Sequence, residues 1–138
     1  MSNFKGLYDI RDYKESDKNF ILATFLRGLY YGDSWFSSIP KDIFMDSYGK
    51  VANRLVSDPR VSIKLAVLRE DPDIILGYSL VSKDQQAIIW AYTKSAWRKQ
   101  GIARSLIPSN PLYVMHLSEL GKQLLPKLPS AVFNPFYE

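Results

Sequence analysis

The spacing of apolar residues changes twice along the chain, and each change marks a change of element. Tyr8 to Asp12 reads as a short first strand. Between Glu15 and Gly32 the apolar positions recur at helical intervals, with Ile21, Leu22, Phe25 and Leu29 on one face. Ser16 is suited to cap the start of this helix, and Gly32 to end it in a left-handed turn. A second helix is predicted from Ile39 to Asp58, with Pro40 in its first turn and a stripe of Ile43, Phe44, Val51 and Leu55. Gly49 weakens it somewhat.

The period then shortens to two. Ser62 to Arg69 alternates, with Ile63, Leu65 and Val67 on one side, and "EDPD" follows as a turn. Ile74 to Ser82 is a second strand of this group, "KDQQ" a second turn, and Ala87 to Thr93 a third strand. Three strands joined by tight turns form an antiparallel meander. Beyond Thr93 a helix can run only to about Leu106, because Pro108 and Pro111 close it off. "LYVMHL" reads as a strand, "SELGKQLLPKL" as a short helix interrupted near Pro126, and "AVFNPFYE" as a last short strand. The order predicts an α+β fold around a mixed, mainly antiparallel sheet, in one domain spanning 1–138.

Composition narrows the chemistry. With 46% hydrophobic residues the chain can bury a real core. It has no cysteine, so disulfides and thiolate metal sites are excluded, and its single histidine rules out a histidine-rich metal site. No apolar run approaches a membrane span, and the N-terminus lacks a signal core, so a soluble cytoplasmic protein is expected. The net charge of +4 suits an anionic partner but equally describes a solvated surface.

One stretch concentrates chemistry: "WRKQGIAR", Trp97 to Arg104, which joins the last meander strand to the short helix. A glycine-containing turn that opens a helix aims several backbone N–H groups at one spot, where an anion is favoured. Gly101 allows close backbone approach, and Arg98, Lys99 and Arg104 add positive charge. Two readings stand side by side, a pyrophosphate cradle and a basic helix start on a solvated surface. Neither a Walker loop nor a Rossmann fingerprint is present.

"Arg98-Lys99-Gln100-Gly101-Ile102-Ala103" resembles the [Q/R]-x-x-G-x-[G/A] acetyl-CoA signature of the GCN5-related N-acetyltransferases (GNAT). "AYTKSAWRKQGIARSL" resembles that family's strand-loop-helix block, and "IILGYSLV" its preceding strand; the element order fits from Tyr8 to the C-terminus. The resemblance implies an acyltransferase that moves an acetyl group from acetyl-CoA to a primary amine by direct attack. It implies that amides of Gln100, Gly101, Ile102 and Ala103, with Arg98, Lys99 and Arg104 alongside, bind the pyrophosphate. Main-chain groups of Ala91 and Thr93 would pair with the pantetheine arm, and an amide near Tyr92 or Thr93 would polarise the thioester carbonyl. For Trp90, Ala91 and Tyr92, plain sheet packing is the competing role.

The pattern also departs from that family. The helix after the signature is short. Leu125 stands where a tyrosine often protonates the leaving thiolate, with Ser118 and Gly121 at the other positions of that late motif. No Glu or Asp lies on Ala87 to Thr93. A base matters, since deprotonating a lysine-like amine at pH 7 costs about 4.6 kcal/mol. The candidates to replace it are Tyr92, Tyr113 and His116, with Glu119 more simply a favourable helix-start charge. Trp35 and Phe36 in "WFSSIP" either wall the acceptor pocket or anchor the core. Asp33, Asp42 and Asp46 are placed to attract an amine or merely sit near helix ends. Leu125 and the short helix also admit a catalytically inactive acyl-CoA-binding or partner-binding module. The acceptor (protein, small amine or modified base) stays open, as does a homodimer; no membrane partner is expected, and nucleic acid is disfavoured.

Overall fold

The computed structural model describes residues 7–98, 101–116, 125–128 and 130–134. Among these residues the sheet has six strands in sequence order: β1 (Tyr8–Asp12), β2 (Val61–Leu68), β3 (Ile75–Ser82), β4 (Ala87–Thr93), β5 (Tyr113–Val114) and β6 (Val132–Phe133). The first four pair antiparallel, and β5 and β6 join in parallel. Helices α1 (Lys18–Gly32), α2 (Ser34–Ser37) and α3 (Lys41–Ser57) lie between β1 and β2, and α4 (Ile102–Leu106) follows β4. Among the described residues no helix is long and apolar enough to cross a membrane.

The meander follows the predicted limits to within about a residue, bounded by its turns. Ile63, Leu65 and Val67 of β2 are buried in one cluster with Ile21, Phe25 and Leu29 of α1 and Phe44, Ala52 and Val56 of α3. Ala66, pointing the other way, packs with Leu76 and with Ile102 and Leu106 of α4. The sheet is therefore covered on both faces, and β3 and β4 read as nearly continuous apolar runs.

The helix ends depart from expectation. Ser16 does not cap α1 but falls in a 3₁₀ turn (Glu15–Asp17) ahead of it; Asp17 stands at the N-cap with its carboxylate turned back to accept the Lys14 N–H at 2.8 Å. Gly32 closes α1 without a positive φ, because Asp33 turns extended there and accepts the Trp35 N–H to start α2. In α3 the buried stripe runs Phe44, Ala52 and Val56, with Tyr48 between them, and Ile43 is 54% exposed. The helix is rotated by about one residue from the expected face, since four-residue steps from Phe44 carry the larger aromatic volume inward. "LYVMHL" yields only a two-residue strand, and Leu125–Lys127 forms a single 3₁₀ turn. The rest of the expected "SELGKQLLPKL" helix lies outside the described residues.

Candidate functional site

The site is built by an irregularity in β4. Its register with β3 shifts between Leu80 and Val81, so that Leu80 faces Trp90 while Val81 faces Ile88, and Ile89 is the extra residue. The side chains show the same bulge: Ile89 and Trp90, neighbours in sequence, both enter the α1/α3 cluster, whereas Ile88 and Ala91 pack on the opposite face. At this point β4 and β5 part. Their pairing ends with the Met115 N–H donating to the Ile88 carbonyl at 2.9 Å.

Beyond the bulge, the β4 main chain faces alternately toward β3 and toward the space β5 has left. The Lys94 N–H donates to the Leu76 carbonyl at 2.8 Å, which fixes the alternation. Tyr92 and Trp90 thus bond to β3, and the N–H and C=O groups of Ala91 and the N–H of Thr93 face the opening. Among the described residues no backbone group meets them there. The Thr93 carbonyl instead accepts the Arg98 Nε–H at 2.9 Å, folding the loop back on its own strand. The Thr93 hydroxyl is buried without a partner among the described residues.

Next to this edge comes the glycine turn. Gly101 has φ of +86°, in the left-handed region, and a Cβ placed on it would meet nothing within 4 Å. Its conformation needs glycine, and the space before it is open. Ile102 opens α4 with its side chain buried against Ala66 and Leu76. Ala103 is half-buried and Arg98 and Arg104 are exposed; Lys99 and Gln100 lie outside the described residues. The Ser79 hydroxyl donates to the Leu106 carbonyl at 2.8 Å, tying the end of α4 to β3. Gly77 has a packing reason of its own, because a Cβ there would stand 2.6 Å from the Tyr92 carbonyl oxygen.

His116 fills the crotch where β4 and β5 separate. Its Nδ1 lies 2.6 Å from the Ile89 carbonyl and its Nε2 lies 2.8 Å from the Tyr48 hydroxyl. A carbonyl can only accept, so Nδ1 carries the proton and Nε2 accepts from Tyr48. Phe25 and Trp90, themselves stacked at 4.7 Å, present their rings to the imidazole at steep angles. Burial lowers the His116 pKa below its ordinary value, with the Ile89 carbonyl opposing more weakly, so the ring is neutral near pH 7. Burial also pushes the Tyr48 hydroxyl up.

The other candidates are dispersed. Tyr92 packs between Phe20 and Tyr78 on the α1/α3 face. Tyr113 pairs opposite Ala87, at the far end of β4 from Thr93. Leu125 packs against the cluster of Ile88, Ala91 and Val114, and Glu119, Ser118 and Gly121 lie outside the described residues. Trp35 is 68% exposed, whereas Phe36 packs edge-on against Phe44 and Tyr48. Asp33 caps α2, Asp42 bonds the Ile43 N–H, and Asp46 faces Lys50 on α3. Tyr48 was not singled out by the sequence, since one tyrosine on an amphipathic helix looks like any packing aromatic. Among the described residues no cluster of three His, Asp or Glu could hold a metal.

A strand meander with a bulged fourth strand, a diverging fifth and a glycine turn into a helix defines the GNAT acetyltransferase fold. The chain has that fold. It is similar to a Pyrococcus furiosus protein named as an acetyl transferase, at 14% identity and a TM-score of 0.60 over 92% of this chain and 81% of that one. It is similar to a Corynebacterium glutamicum protein named as histone acetyltransferase HPA2 and related acetyltransferase, at 14% identity and TM-score 0.52 over 72% and 67%. A GCN5-related N-acetyltransferase of Rhodopseudomonas palustris matches at 18% identity and TM-score 0.50 over 77% and 62%. No family model matches the sequence, and no curated protein sequence is similar to it.

Proposed function

We propose that this chain is a divergent GNAT-family N-acyltransferase that uses acetyl-CoA and a primary amine. The observation that carries the reading is the open edge of β4 at Ala91 and Thr93, lying beside the left-handed Gly101 turn. An extended amide-bearing arm can pair with that edge as an added strand. The open space before Gly101 and the unpartnered Thr93 hydroxyl fit a polar ligand running from the strand to the loop. Ala91 and Thr93 would hold the pantetheine arm, with the amides of Gly101, Ile102 and Ala103 and the charges of Arg98 and Arg104 near the pyrophosphate; Lys99 and Gln100 belong to the same motif. When bound, acetyl-CoA supplies an activated acyl group.

The chain's own contribution is to orient and to move a proton. An acceptor ammonium gives its proton to the Tyr48 oxygen while the Tyr48 proton passes to Nε2 of His116. Tyr48 stays neutral, and the imidazolium that forms is held by the Ile89 carbonyl through Nδ1. This arrangement replaces the carboxylate missing from β4, and it assigns to Tyr48 and His116 the task that Tyr92 and Tyr113 are poorly placed to perform.

Calorimetric titration with acetyl-CoA, beside a pantetheine thioester lacking the nucleotide, tests the reading. Saturable binding that weakens sharply without the pyrophosphate supports it; equal or absent binding of both sinks it. A second reading, an acyl-CoA-binding module without turnover, is favoured by Leu125, an aliphatic side chain packed against Ile88, Ala91 and Val114 at the position where the resembled motif has its tyrosine. Release of free thiol with any member of a broad amine panel would rule that module out.

A further inference from the structure

We infer that a cavity of about 380 Å³ between the end of α3 and the β3–β4 turn is a second ligand site, built for a small amphipathic carboxylate. Its size lies in the range of small-molecule sites. Leu55, Pro59, Ile89 and Met115 give it apolar walls, and charged residues stand around them. The charges are not equivalent. Asp58 is spent on Arg60, whose Nε and Nη2 reach its two oxygens at 3.2 and 3.0 Å. Asp84 is spent on its own turn, accepting from the Ser82 hydroxyl at 2.6 Å and the Gln86 N–H at 3.0 Å. The exposed ammonium of Lys83 has no side-chain partner among the described residues. A hydrocarbon body on the apolar walls with an anionic head at Lys83 completes both halves of this surface. An amine of the same shape would meet the repulsion of Lys83, with Asp58 already paired to Arg60.

This site is separate from the β4 edge. It reaches from the β3–β4 turn to Ile89 and Met115, where β4 and β5 part, whereas Thr93 and Gly101 lie at and beyond the far end of β4, and the inference does not rest on the acyltransferase reading. The two regions meet at Ile89, which lines the cavity while its carbonyl holds His116. Occupancy is therefore readable at the imidazole.

The test is an NMR titration of the full chain with sodium octanoate, following the amides of Lys83, Ile89 and Met115 and the ring of His116. Octylamine and acetate serve as controls. Saturable shifts with octanoate alone, weakened about tenfold or more by Lys83→Glu, are expected, one charge-assisted hydrogen bond being worth that much. Met115→Trp, which fills the cavity, should abolish them in a protein whose circular dichroism is unchanged. Should Met115→Trp fail to fold, the surface change Lys83→Glu decides alone. Equal shifts with octylamine, no saturation, or indifference to Lys83→Glu would overturn the assignment.

Discussion

Arg11 and Asp17 meet as a two-pronged fork, Nη1 to Oδ2 and Nη2 to Oδ1, both at 2.8 Å, which fastens β1 to the start of α1. Asp17 is buried and also accepts the Lys14 N–H. The Arg11 hydrogen bonds hold its pKa below the ordinary carboxylate value against the opposing effect of burial. A carboxylate depressed in the folded state lends stability above its unfolded pKa of about 3.9, and that stability is lost as pH falls through the folded value. Acid melts should show a loss of stability setting in below about pH 4 that is missing in Asp17→Asn. That variant should itself be less stable by about 2 kcal/mol at pH 7, since a charged donor loses its partner.

His116 titrates with the same sign in a different window. Its folded pKa lies below the ordinary 6.5, so the unfolded chain takes up a proton first and stability drops as pH falls below about that value. The melting temperature should decline from pH 7 toward 5.5 in the parent chain and stay flatter in His116→Gln. A parent chain with no such decline would contradict the buried neutral imidazole.

Tyr48→Phe separates structure from proton transfer. It strands Nε2 of His116 and should cost about 1–3 kcal/mol of stability. On the proposed reading it also lowers kcat for amine acetylation well beyond any change in acetyl-CoA affinity, and shifts the acidic limb of the pH profile. A variant with unchanged kcat and profile would reduce Tyr48 to a packing residue.

Gly77→Ala brings a methyl group to 2.6 Å from the Tyr92 carbonyl oxygen, a backbone atom that cannot swing aside. Overpacking of this kind costs about 1–3 kcal/mol, and the upper end is expected here. Chemical denaturation should show it, with the slope unchanged.

Gly101→Val acts differently, since a Cβ there has room but the φ of +86° is strained for it. The fold should lose only about 1–2 kcal/mol. Acetyl-CoA binding, measured by calorimetry, should fall far more steeply than that figure accounts for. Undiminished affinity would remove the Gly101 turn from the site.

Most of the fold was legible because the signals were local. The two-residue alternation of Ile63, Leu65 and Val67 and the turn chemistry of "EDPD" and "KDQQ" leave few other arrangements. On α3, Phe44 and Leu55 of the expected stripe do pack on the core; Ile43 does not, because neighbouring helical positions point about 100° apart and only one of the two can face the partner cluster. Gly32 and Ser16 looked like caps by residue type, but Ser16 falls inside the 3₁₀ turn ahead of α1, and Gly32 needs no positive φ because Asp33 turns extended to start α2. The Gly101 turn was readable from its glycine. The Tyr48–His116 pair was not, because its partners come from α3 and from the segment after β5, 68 positions apart, and nothing in either neighbourhood names the other.

The exposed edge of β4 has a consequence for how such a chain changes over time. Its hydrogen-bonding groups belong to the backbone of Ala91 and Thr93, so a change of side chain that still packs there deletes no donor or acceptor. The geometry depends on a bulge and a parting of strands, which many apolar residues can produce. An edge of this kind leaves almost no spelling behind, and 14–18% identity to proteins of the same architecture is compatible with keeping it.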